Sequence, residues 1–225
     1  MLFLIGSGFG FSQFILGAIA FAVAIMMALI FHEWAHAWVA YKNGDNTAKA
    51  LGRMTLNPKK HIEPLGLLSF VLIGMGWAKP VPTNPFNYRN FRRGNFLVSI
   101  AGIVMNFILG VVFSFLFFIM VHYADWHNGM TSLGLWFIGY FFMIGMVINL
   151  ALMIFNLLPI FPLDGYNILR SFTKPNNRYM QFVRDNTQWL LLVVMLVMIF
   201  TGLFDFIRGG IIDLLIAFWS LIFGV

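Results

Sequence analysis

Phe14-Ile-Leu-Gly-Ala-Ile-Ala-Phe-Ala-Val-Ala-Ile-Met-Met-Ala-Leu-Ile-Phe-His32-Glu33-Trp-Ala-His36 decides how the rest of the chain is read. From Met1 to Phe31 there is no charged residue, and about 20 apolar residues are enough for a helix to cross a bilayer. Two histidines and a glutamate then follow within five positions. On a helix, residues four apart share a face at about 6 Å between Cβ atoms, so both imidazoles can reach one metal ion with Glu33 beside it as a base. Such groups are costly on a lipid-spanning sequence unless they have a function. The stretch therefore predicts a metal site at the end of a membrane span.

The remaining chain fits that frame. Uncharged runs recur at Gly94–Val121, Trp126–Leu163 and Asn186–Phe204, each long enough to span as a helix. Pro64–Ala78 is shorter and carries Pro64 and Gly66 near its start, which predicts a re-entrant or β-hairpin segment. The tail Leu214–Val225 predicts a short interfacial or half-buried helix. Of 225 residues 60% are hydrophobic and 10% charged, a balance that excludes an ordinary water-soluble domain. Cysteine is absent, so disulfides, thiolate metal sites and cysteine nucleophiles are excluded. No Lys or Arg precedes the first run and its apolar stretch exceeds a signal core, so it reads as a retained anchor. The expected fold is an all-α polytopic membrane protein of about four transmembrane helices, with the re-entrant or hairpin segment and a short C-terminal helix, forming a single domain over 1–225.

The excess of 14 basic over 8 acidic residues reflects topology rather than nucleic-acid binding, because the bases lie between apolar runs and not along one face. Nine lie between Lys42 and Arg93, four between Arg170 and Arg184, and one at Arg208, with none before the first run or between the second and third. The positive-inside rule puts the N-terminus outside and the loops after the first and third spans in the cytosol, with Arg208 as the exception.

Two histidines leave a catalytic zinc short of its usual third protein ligand. The acid that ends another span on the same side is Asp164, in Asn156-Leu-Leu-Pro-Ile-Phe-Pro-Leu-Asp164-Gly165. Spans one and three both run inward, so His32, His36 and Asp164 arrive at one face. Pro159 and Pro162 break the third helix before the acid, and unwound backbone at membrane depth is tolerated where it lines a polar cavity.

With these residues in view, the sequence resembles the site-2 protease family of intramembrane zinc metalloproteases, whose signatures are H-E-x-x-H on one span and an N-x-x-P-x-x-x-L-D-G-like segment on another. Gly52–Gly66, Gly76–Pro82 and Ser99–Asn106 also look like stretches of its compact bacterial and archaeal members, so the resemblance covers roughly 15–175. It implies a catalytic core over about 13–175, family-variable helices over about 186–225, and a compact form without PDZ or CBS domain. It implies one Zn2+ on His32, His36 and Asp164, Glu33 as general base, and Asn106 as an oxyanion donor, the alternative for Asn106 being an interhelical hydrogen bond. The expected partners are the lipid bilayer and a transmembrane protein or peptide substrate, in a bacterial or archaeal plasma membrane, with the active site towards the cytosol. The Leu65–Pro82 stretch could lend an edge strand to an unwound substrate. His61, beside Lys59 and Lys60, reads as a solvated loop histidine, and His122, Asp125 and His127 as outer-loop polarity. A metal transporter or non-catalytic scaffold is the rival class, disfavoured because spans two and four carry no acid or histidine.

Overall fold

In the computed structural model the described residues are 10–61, 63, 66, 79–123, 133–174 and 177–224. They form helices and no strand: α1 (Phe11–Lys42), α2 (Thr47–Ala50), α3 (Phe91–Tyr123), α4 (Leu133–Asn156), α5 (Asp164–Phe172), α6 (Arg178–Asp185), α7 (Thr187–Thr201) and α8 (Leu203–Phe223), with short 3-10 turns at Pro58–Lys60 and Pro85–Asn87. Among them, α1, α3, α4 and α8 are long and apolar enough to cross a membrane.

Small residues set how closely the first three of these pack. Ala20, Ala24 and Ala28 lie one turn apart on α1 and are fully buried. Ala20 packs with Trp136 and Tyr140 of α4, and Ala24 and Ala28 pack with Ile148 further along it, so α1 and α4 run parallel. In α3, Val98 packs with Ala40 at the end of α1, and Phe113 meets Met146 and Leu150 of α4. Thus α3 runs antiparallel to both. Without an aqueous hydrophobic drive between helices in lipid, such close contact through small residues is what holds a bundle together.

Pro159 and Pro162 act as expected. The α4 helix ends at Asn156, residues 157–163 run as turns, and α5 begins at Asp164 itself. Buried Asn95 of α3 ties α5 down, donating from Nδ2 to Asn167 O at 2.7 Å and to Ser171 Oγ at 2.8 Å. In lipid or protein interior each of those groups would be costly unpaired, so the position of the α5 start follows from α3.

The C-terminal third corrects the sequence reading. The expected fourth span, Asn186–Phe204, is helical only over Thr187–Thr201, 15 residues, and the fourth long helix is Leu203–Phe223, which absorbs the supposed short tail helix. Gly202, at φ 63, ends α7 in the left-handed region that glycine enters without strain. The charges that seemed to end the run are paired along α8: Arg208 Nη2 lies 2.7 Å from Asp205 Oδ1, one turn away. α8 packs on α3 through Trp219, whose Nε1 donates to Ser114 Oγ at 3.0 Å, and through Phe223 against Phe118. The expected re-entrant or hairpin segment at Pro64–Ala78 lies outside the described residues except for Gly66.

Candidate metal centre

The two histidines of α1 behave as four-residue spacing requires. Their rings meet edge to face with centroids 4.6 Å apart, and both are buried. The turn after α4 brings Asp164 to them. His32 Nε2 and His36 Nε2 are 3.0 Å apart, and Asp164 Oδ2 lies 3.2 Å from the first and 3.3 Å from the second.

Hydrogen-bond direction fixes what these atoms carry. Gly145 O can only accept, so Asn149 presents Nδ2 to it, at 2.8 Å, and turns Oδ1 to Asn106. Asn106 therefore donates from Nδ2 to Asn149 Oδ1 at 3.1 Å and turns its own Oδ1 to His32 Nδ1 at 2.5 Å. His32 Nδ1 must then hold the proton. His36 Nδ1 faces Val98 O at 2.6 Å and must hold its proton too. With both rings neutral, each then aims an Nε2 lone pair at Asp164 Oδ2, a buried oxygen without a hydrogen-bond partner among the described residues. Three electron-rich atoms converging with no proton between them repel unless a cation sits among them. A tetrahedral zinc with ligand bonds of about 2.0–2.2 Å separates its ligand atoms by about 3.3–3.6 Å; the two distances to Asp164 Oδ2, 3.2 and 3.3 Å, lie close to that and the 3.0 Å between the imidazoles is somewhat shorter.

Helix α3 closes the site from beneath. A Cβ on Gly102 would lie 2.5 Å from His32 Cε1 and from His36 Nε2, so only glycine admits the imidazoles here. Gly165 plays the same part behind Asp164, where a Cβ would meet the carbonyls of Leu157 and Leu158. Glu33 is half-buried and makes no hydrogen bond or ion pair with the three ligand atoms; its Oε2 accepts from Val81 N at 2.7 Å.

The sequence profile of peptidase family M50 matches residues 20–201. The chain belongs to peptidase family M50. A Bacillus subtilis (strain 168) protein named "Putative zinc metalloprotease YwhC" is 40% identical over 175 residues, 78% of each chain. "Putative zinc metalloprotease Rip2" of Mycolicibacterium smegmatis is 30% identical over 182 residues, 77% of this chain and 64% of that one. The Mycobacterium tuberculosis (strain ATCC 25618 / H37Rv) protein of the same name is 28% identical over 162 residues, 68% and 57%. No solved structure matches the chain. This M50 peptidase is a zinc metalloprotease with membrane-spanning helices, and His32, His36 and Asp164 are positioned like a metal site.

Several residues of the peptidase sit differently from their sequence reading. His61 is 2% exposed rather than solvated, because the loop folds around it: Nε2 lies on Thr55 O at 2.7 Å, its own N–H donates to Pro58 O and its carbonyl accepts from Lys79 N. His122 stacks on Phe118 at the far end of α3, whereas Asp125 and His127 lie outside the described residues. Asn106 makes the interhelical hydrogen bond and is fully buried. The reading missed Asn149, Asn95 and Asp45. Asn149 was legible in principle, as an amide in the middle of an apolar run, where polar side chains seek partners on other helices.

Partners that orient a ligand typically contribute 10-fold to 100-fold in metal affinity. Asn106→Ala removes the acceptor that holds His32 in its tautomer, and is expected to weaken zinc binding by about that factor while leaving the chain folded. A competition titration against a chelator of known affinity checks this, and an unchanged affinity would contradict it.

Proposed function

We propose that the protein hydrolyses peptide bonds within or next to transmembrane segments of other membrane proteins. The observation that carries this reading is the position of the metal cluster on α1. His32 is about 32 Å of helix rise from Phe11 and about 15 Å from Lys42, so the site falls inside the length of a spanning helix rather than on a connection. A hydrocarbon core about 30 Å thick laid over the apolar part of α1 ends near His32, so a peptidase centre there meets substrate near one boundary of the bilayer.

Zinc, when held by His32, His36 and Asp164, supplies a Lewis acid and brings the pKa of a water towards about 7. Glu33 takes the proton of the attacking water and returns it to the leaving amine. Asn106 acts through His32, keeping Nδ1 protonated and Nε2 available, with Asn149 behind it. The oxyanion role that resemblance suggested for Asn106 has less support: its side chain is fully buried and one amide hydrogen is on Asn149. The core that does this is about 13–175.

The basic connections support an N-terminus outside and a site towards the cytosolic side of a bacterial or archaeal plasma membrane. A helical substrate must unwind before its carbonyl can be attacked, since its backbone groups are otherwise paired internally. Of the Leu65–Pro82 stretch expected to help, residues 65 and 67–78 lie outside the described ones.

Cleavage is therefore expected in the cytosolic half of the substrate's membrane segment, favoured by helix-weakening Gly, Pro or Asn nearby. Mass spectrometry of products from a single-span substrate of known orientation measures this directly. Cuts confined to the outer half would overturn the orientation.

A further inference from the structure

Between the active-site helix and α3 runs the segment Lys79-Pro-Val-Pro-Thr-Asn84, whose backbone is tied to neighbouring residues at several points. Pro80 and Pro82 have no N–H. Of the other donors, Lys79 N reaches His61 O at 2.8 Å, Val81 N reaches Glu33 Oε2 at 2.7 Å, and Asn84 N reaches Asp45 Oδ2 at 2.6 Å. The carbonyls of Lys79 and Pro80 accept from Arg53 Nη2 at 2.8 and 3.2 Å. The Val81 side chain is buried against Ala37 and Ala48. Ala37 lies one turn beyond Glu33 on α1, so Val81 grips the same stretch of helix by side chain and by N–H.

Asp45 is fully buried, and each of its oxygens is engaged. Besides Asn84 N, it accepts from Thr47 N at 3.1 Å, from Thr47 Oγ1 at 2.5 Å and from Asn87 Nδ2 at 2.9 Å. Its own N–H donates to Ala40 O at the end of α1. Burial opposes its ionisation, and the hydrogen bonds from Thr47, Asn84 and Asn87 outweigh that, holding the carboxyl below its ordinary value. Asp45 thus pins one end of the segment to the helix that carries Glu33, and Arg53 pins the other.

We propose that Arg53 and Asp45 are positioning residues for peptide hydrolysis, acting through Val81: together they hold its N–H on Glu33 Oε2, so that Oε1 alone is presented to the attacking water. Oε1 takes no hydrogen bond from a described residue, whereas Oε2 is committed. A carboxylate free to rotate would offer either oxygen at variable distance, and misplacement by about 1 Å can cost about 100-fold in rate. This rests on Glu33 being the general base, as argued above.

The most selective change replaces the Val81 amide with an ester, using the α-hydroxy analogue of valine, which deletes one N–H and no side chain. Its kcat on a single-span peptide that the wild-type protein cleaves is expected to fall about 10-fold to 100-fold, with KM and zinc content unchanged. Asp45→Asn, which turns an NH2 towards existing donors, and Arg53→Gln are expected to lower kcat in the same way. Combined with the ester, each should cost little more than the ester alone, because all act through one contact.

Hydrogen exchange supplies a readout apart from activity. In a peptide covering 79–84 the backbone amides after the first residue are those of Val81, Thr83 and Asn84, and two of these, Val81 and Asn84, are hydrogen-bonded. Val81 is expected to exchange slowly in the wild-type protein and quickly in Asp45→Asn and Arg53→Gln, with one zinc per chain retained in each. Fast exchange at Val81 with wild-type kcat would overturn the proposal, as would a kcat loss that tracks zinc loss, which marks a purely structural role. The two readings fail separately. A Glu33→Gln protein at wild-type rate removes the base, whereas an inactive Glu33→Gln beside a fully active ester at Val81 removes only the positioning.

Discussion

Gly102→Ala is expected to strip zinc from the protein while leaving its helices folded. The two effects of the added methyl group oppose each other, and their sizes decide the outcome. Alanine in place of glycine favours a helix by about 1 kcal/mol, so α3 itself gains. The methyl group, however, would sit 2.5 Å from both His32 Cε1 and His36 Nε2. An overpacked core commonly costs about 1–3 kcal/mol in displaced neighbours, and here the neighbours are two of the three residues proposed to hold zinc. Their displacement should weaken zinc at least about 100-fold, the upper end of what losing a ligand-orienting contact costs. Elemental analysis and helical circular dichroism separate the two quantities. Gly209→Ala, where a Cβ meets nothing within 4 Å, is the matched control and should keep its zinc. Full zinc in Gly102→Ala would mean that the close approach of α3 to the imidazoles is wrong.

Glu33→Gln separates binding from chemistry. Glu33 makes no hydrogen bond or ion pair with His32, His36 or Asp164, and a glutamine carbonyl can still accept from Val81 N, so zinc and fold should persist. A positioned acid or base contributes about 100-fold to 10,000-fold, and peptide hydrolysis should fall by that order. Measured kcat together with zinc content tests it. A zinc-loaded Glu33→Gln that cleaves at wild-type rate would remove Glu33 from the mechanism and return the metal-transporter reading to consideration.

The features that carried the sequence reading share a physical cause: each is a costly group placed where lipid or buried backbone should be. His32, Glu33 and His36 interrupt an apolar helix, and Pro159 and Pro162 end another just before Asp164. The distribution of basic residues over the loops then placed both ends on one face, and the structure brings Asp164 Oδ2 within 3.3 Å of both imidazoles. Other features depend on partners distant in sequence. Gly102 looks like any helical glycine until two imidazoles occupy the space of its Cβ. Asn149 looks like an isolated amide until Asn106 and Gly145 O define its orientation. Asp45 looks like a loop acid until Asn84 and Asn87, some forty residues on, fold back to it. The C-terminal error had a different origin. The uncharged run ends at Phe204, before Asp205, whereas Asp205 pairs with Arg208 within α8 and the helix continues.

The measurement that tests the account most directly is cleavage of a single-span substrate by the purified, membrane-reconstituted protein, before and after zinc removal and again after zinc is restored. With His32, His36 and Asp164 as the metal site, chelation should abolish cleavage within the membrane segment, and about one zinc per chain should restore it. The His32→Ala, His36→Ala double variant should remain inactive at any zinc concentration. Cleavage that continues undiminished in the stripped protein or in the double variant would contradict the account.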